Sequence, residues 1–162
     1  MNDDHFLRDQ LTALLHKAQA HLTFEDAVAD FPLEKINLLP PNTPYSPWEL
    51  LEHIRITQWD ILDFIRNPGY IWLQWPDDYW PKKGSTATPQ MWQETITTYL
   101  DDRASLIKII QDKTTQLTAD LPHAPGYSVL REILVVADHT AYHVGEFAIL
   151  RQVMGTWPPG HS

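Results

Sequence analysis

Four stretches of this chain space their apolar residues as the buried stripe of a helix does. In the first, from Asp3 to about Leu22, Phe6, Leu7, Leu11, Leu14, Leu15, Ala18 and Leu22 share one face. A short turn over 23–31, opened by Thr23 and Asp26 and stopped by Pro32, follows it. The prolines of LPPNTPYSP forbid regular helix and deliver the chain to Ser46-Pro47-Trp48-Glu49, a capping box with proline at the first helical position. The second helix runs from there through Leu50, Leu51, His53, Ile54, Ile61, Leu62, Phe64 and Ile65 to the stop at Asn67-Pro68-Gly69. Thr88-Pro89 opens a third, with Trp92, Ile96, Tyr99, Leu100, Leu106, Ile107, Ile110 and Leu117 spaced for burial, and LPHAPGY breaks it. The fourth begins near Ser128 and continues to Gly155 with apolar residues almost all round, the pattern of a central helix. No strand pattern and no repeat intervenes. The expectation is an all-α four-helix bundle, a single domain over residues 1–162.

Residues 68–88, PGYIWLQWPDDYWPKKGSTAT, have no period and hold three of the seven tryptophans. A connection this long inside a small domain is commonly functional or mobile. Two readings are open: the aromatics cover one end of the bundle or a dimer contact, or they form a lid over a pocket.

Charge narrows the function classes. With 21 acidic against 12 basic residues the formal charge is -9, which repels phosphate backbones and anionic membrane surfaces. Nucleic-acid binding is disfavoured. The absence of cysteine removes disulfides, thiolate metal sites and cysteine nucleophiles. MNDDHFLRDQ lacks the basic and apolar regions of a signal peptide, and no apolar run is seen to approach the roughly 20 residues that span a bilayer. A cytoplasmic protein without membrane association is expected.

The candidate chemistry lies in the histidines. His139 and His143 are four apart on the fourth helix, separated by about 40° around its axis and about 6 Å along it, so both imidazoles can face one cavity. Eight histidines in 162 residues give about 0.3 such pairs by chance, so spacing alone decides nothing. Placement adds weight, because imidazoles on so apolar a helix need polar partners. His53, on a half-buried face of the second helix, could meet them across the bundle or be an ordinary boundary histidine. Three imidazoles from two helices suit a divalent transition metal such as zinc, nickel or iron, with a coordination position left open. Glu146, three residues beyond His143, is the candidate catalytic carboxylate; it can orient a histidine, serve as general base or be a solvated acid, the first being favoured. Glu49 and Asp60 share the face of His53, whereas Glu52 and Asp138 point about 100° away from the ligand candidates. His5, His16, His21, His123 and His161 read as surface residues. No phosphate loop, nucleophile elbow or HExxH motif is present.

The order of helices, the histidine early in the second one and the run His139-Thr140-Ala141-Tyr142-His143-Val144-Gly145-Glu146 resemble the DinB-like superfamily of four-helix bundles, whose relatives include thiol-dependent transferases. The resemblance implies a metal held by His53, His139 and His143, and a homodimer. The activities it implies are broad: transfer of low-molecular-weight thiols, isomerisation, or no established reaction. Two functions stand as expectations. One is a metal-dependent hydrolase or thiol S-transferase acting on a small-molecule electrophile. The other is a non-catalytic metal- or ligand-binding stress-response module.

Overall fold

Capping chemistry sets where the helices of this protein begin. The computed structural model describes residues 3–160 and contains α1 (Asp3–His16), α2 (Phe24–Val28), α3 (Pro47–Arg66), α4 (Pro89–Gln111) and α5 (Val129–Met154), with a 3-10 turn at Leu33–Lys35. Ser46 and Glu49 exchange hydrogen bonds at the start of α3, Thr23 and Asp26 do the same at α2, and the Thr88 hydroxyl accepts from the Met91 N–H at α4. Gly155, with φ of 58°, closes α5 in the left-handed conformation that favours glycine.

The core has two halves, and they reveal the direction of each helix. Leu50, Leu51 and Ile54 of α3 join Trp92 and Tyr99 of α4 and Val144 and Phe147 of α5 in one half. Ile61, Leu62 and Ile65 join Leu106 and Ile110, Ile133 and Val136, and Leu11 and Leu15 of α1 in the other. Thus α3 and α4 run in the same sense, and α5 runs against both. Twenty residues of α3 span about 30 Å, a length the chain must retrace before α4 can begin. The segment 67–88 is this return crossover, which accounts for its length. Thr57 on α3, and His139 and His143 on α5, fall along the helices between the two apolar halves, and His53 sits at the edge of the first, between Leu51 and Ile54.

Buried arginines tie the ends together. Arg8 donates to the carbonyls of Ile110 (2.5 Å), Asp112 (2.9 Å) and Thr115 (2.8 Å), closing the C-terminus of α4. Fully buried Arg151 donates to Ala27 O, Ala29 O and Thr156 O at 2.6–2.9 Å, joining the end of α5 to the end of α2.

Several boundaries differ from the sequence pattern. The first helix stops at His16, not Leu22, because a new capping box at Thr23 requires the chain to turn over 17–22. Its buried face is Arg8, Leu11 and Leu15, while Phe6 and Leu14 lie exposed. The third helix ends at Gln111, where Asp112 accepts from the Thr114 N–H and turns the chain; Leu117 is buried outside it. A small antiparallel pair, β1 (Asp120–Leu121) and β2 (Ala124–Ser128), was not anticipated and is too short to show a period. Finally, α5 is not enclosed on all sides. Leu134, Val135, Ile149 and Val153 are exposed along one flank, and by length and composition alone the helix is apolar enough to cross a bilayer, contrary to the expectation that no apolar run approaches that length. A core helix meets the same criterion, and α5 packs on α3, α1 and α2.

Candidate metal centre

The facing turns of α3 and α5 bring the three histidines together. His53 Nε2 lies 3.1 Å from His143 Nε2 and 3.1 Å from His139 Nε2, and one ligand atom from each residue falls within 4.8 Å of the others. His53 and His143 are buried and His139 is half-buried. The four-residue spacing does on α5 what helical geometry requires, placing consecutive-turn imidazoles side by side with ring centroids 4.3 Å apart.

The outer nitrogens define the protonation of two rings. His53 Nδ1 lies 2.7 Å from the Tyr79 carbonyl oxygen, which can only accept, so Nδ1 carries the hydrogen. His143 Nδ1 donates to Glu146 Oε2 at 2.7 Å. In the neutral form of both rings the Nε2 lone pairs are bare and face each other. A cation between them removes that repulsion. Burial holds all three imidazoles below the ordinary histidine range, His139 down to about 3, with the neighbouring imidazoles adding to the effect on His53 and His139. A proton is therefore disfavoured as that cation, and neutral nitrogen donors with anchored outer nitrogens fit a divalent metal.

The crossover forms the other wall. A cleft of about 600 Å³ opens from the histidines, and Tyr45, Trp75, Tyr79, Trp80 and Tyr142 line it together with Thr57, Val135, Asp138 and Glu146. Trp80 stacks flat on His53 (centroids 3.9 Å, 1°) and against Tyr45 (5.3 Å, 19°). Asp60 fastens the crossover to α3, accepting from the hydroxyls of Tyr70 (2.6 Å) and Tyr79 (2.8 Å). Burial and this hydrogen bond push the Tyr79 hydroxyl up to about 12.

The sequence candidates separate clearly. Glu146 sits on the outer side of His143, away from the Nε2 cluster, and burial and hydrogen bonding to Glu146 raise the pKa of Tyr45. Glu49 is occupied in the α3 cap, and Asp60 holds tyrosines instead of a histidine. Glu52 pairs with Arg55 and accepts from Thr95, while Asp138, although exposed, lines the cleft. His123 is half-buried with Nε2 on the Phe64 carbonyl at 2.7 Å, so it is not a free surface residue; His161 lies outside the described residues. Trp72 packs on Phe64, Tyr70 and Tyr127, outside the cleft.

Residues 8–147, most of the chain, match the sequence family described as the DinB superfamily, and the matched span includes His53, His139, His143 and Glu146. The chain belongs to the DinB superfamily. Comparisons with curated proteins and with solved structures return no match. Family membership and the three-histidine group together are compatible with a metal-binding enzyme.

In this DinB-superfamily chain, sequence reasoning missed three groups that line or frame the cleft. Thr57 carried a signal, since it lies four residues beyond His53 and so shares its face. Tyr142 precedes Glu146 by one turn and its pKa is raised by hydrogen bonding to that carboxylate. The Tyr79 carbonyl carried none, because every residue offers a backbone acceptor.

Proposed function

We propose that the protein is a metal-dependent enzyme in which His53, His139 and His143 hold a divalent transition metal, zinc, nickel or iron, and a small electrophile is attacked by water or a low-molecular-weight thiol. The observation that carries this reading is the convergence of three Nε2 atoms at the foot of an open cleft. When bound with a position open, such a metal supplies the Lewis acidity that makes water or a thiol nucleophilic at neutral pH. The chain does the rest. The Tyr79 carbonyl and Glu146 fix the tautomer and tilt of His53 and His143. Trp75, Trp80, Tyr45 and Tyr142 provide flat walls that exclude water and stack on an apolar substrate body. The lining holds no lysine or arginine, so the metal would be its only fixed cation.

The placement of Trp75 and Trp80 over the histidines favours an enzyme over a purely structural metal-binding module. Purified, untagged protein is expected to contain near-stoichiometric metal, and His53→Ala, His139→Ala and His143→Ala each to lose it. Wild-type protein with neither metal nor affinity for zinc, nickel or iron would end this reading. Panels of electrophiles assayed with and without added thiol then distinguish hydrolysis from thiol transfer.

A further inference from the structure

Six buried side-chain polar atoms among the described residues have no hydrogen-bond partner: Trp48 Nε1, Thr57 Oγ1, Gln58 Oε1, Ser85 Oγ, Asp102 Oδ2 and Arg151 Nε. Folded chains leave few such atoms, because an unpaired buried hydroxyl or amide has lost water and gained nothing. Of the six residues, Thr57 alone lines the histidine cleft. It is 9% exposed and stands one helical turn beyond His53 on the same face of α3.

A threonine inside a helix commonly directs its hydroxyl to the carbonyl one turn back. Thr57 does not do so. Of the polar groups that line the same cleft, His53 Nδ1 is engaged by Tyr79 O, His143 Nδ1 by Glu146, and the Tyr79 hydroxyl by Asp60. Oγ1 is closed off in the observed rotamer, and the residue's small exposure comes from its other atoms; a change between staggered χ1 wells about 120° apart would present the hydroxyl to the cleft without moving α3. So presented, the hydroxyl would donate to an acceptor oxygen of a molecule in the cleft that Thr57 shares with the three histidines.

We propose that Thr57 is a ligand-positioning residue, whose hydroxyl donates a hydrogen bond to an acceptor oxygen of a small molecule seated in the cleft beside His53. The inference rests on the metal-binding reading of the histidine cluster. It assigns the ligand a chemical class, a small molecule with a carbonyl, carboxylate or hydroxamate oxygen at its reacting end and an apolar body against the aromatic walls.

The test uses zinc-loaded wild-type, Thr57→Val and Thr57→Ser proteins titrated calorimetrically with acetohydroxamate. Zinc content and the thermal unfolding of the metal-free proteins are measured alongside. Valine has the shape of threonine without the unpaired hydroxyl, so Thr57→Val is expected to hold zinc as well as wild type and to unfold no earlier. Its acetohydroxamate affinity is expected to fall about tenfold, the scale of one hydrogen bond, with Thr57→Ser close to wild type. A purely packing role predicts the same or higher stability with no loss of affinity. Equal affinity in wild type and Thr57→Val at equal zinc content overturns the inference and leaves the metal reading intact. Wild-type protein that takes up no zinc overturns both. Should Thr57→Val fail to load, Thr57→Ser against Thr57→Ala reads the same tenfold difference.

Discussion

Glu146 illustrates how position along a ring separates roles that sequence leaves merged. Its Oε2 receives the Nδ1 hydrogen of His143 on the opposite side of the imidazole from the Nε2 cluster. A carboxylate there fixes the tautomer and raises the basicity of the inner nitrogen, and groups of this kind typically contribute ten- to a hundredfold in metal affinity. Glu146→Ala is therefore expected to weaken zinc binding by about that factor, measured by competition with a chromophoric chelator. Glu146→Gln keeps an acceptor oxygen for Nδ1 and should lose less. The opposite pattern, with zinc affinity unchanged in both and turnover abolished in Glu146→Gln, would make Glu146 the proton acceptor of the reaction instead.

At the scale of elements, the crossover 67–88 is both a topological necessity and half of the cleft. It returns the chain along the bundle between two helices of the same sense, and Asp60 holds it through two tyrosine hydroxyls where it passes the histidines, alongside the contacts of Tyr79 O and Trp80 with His53. Asp60→Ala removes both tyrosine anchors. Backbone amides over 70–80 are then expected to exchange hydrogen about tenfold faster or more, while those in the middle of α3 keep their protection. A uniform change across the chain would instead give Asp60 a role in global stability alone. The helices that frame this segment were legible because capping boxes at Ser46 and a helical apolar period act locally. The placing of His139 and His143 side by side was legible for the same reason, since spacing on one helix fixes side-chain direction. The common sense of α3 and α4 was not, because it depends on contacts between residues far apart in sequence. Nor was the pairing of β1 with β2, where two and five residues are too few for an alternating pattern. The exposed flank of α5 was misread as core because apolar residues on all sides do not say which side has a neighbour.

At the scale of the whole molecule, three clustered imidazoles, two buried and one half-buried, make the stability of the metal-free protein depend on pH. An unfolded imidazole titrates near 6.5, whereas burial holds the folded ones lower, His139 down to about 3. Between those values the unfolded chain binds protons that the folded chain does not, so stability increases with pH. The contribution is complete above about 6.5 and is lost progressively as pH falls below it. Glu25 acts in a lower window. Burial raises its pKa, but the hydrogen bond and charge of Arg103 outweigh burial and hold it below the usual glutamate value, so its contribution survives until the pH falls below about 4.5. Glu25 is thus out of play between pH 7 and pH 5, where the histidine contribution is opposed by Asp102, whose carboxyl burial holds above its ordinary value. Metal-free protein is expected to unfold at progressively lower temperature across that interval, and His139→Ala to flatten the slope. Zinc held through the same nitrogens, as proposed, should raise the midpoint at pH 7 and lose most of that effect by pH 5, as protons compete for the ligands. A metal-free midpoint independent of pH between 7 and 5 would mean that the imidazoles are not held neutral by the fold, and that the centre is assembled by the metal instead of being built in advance.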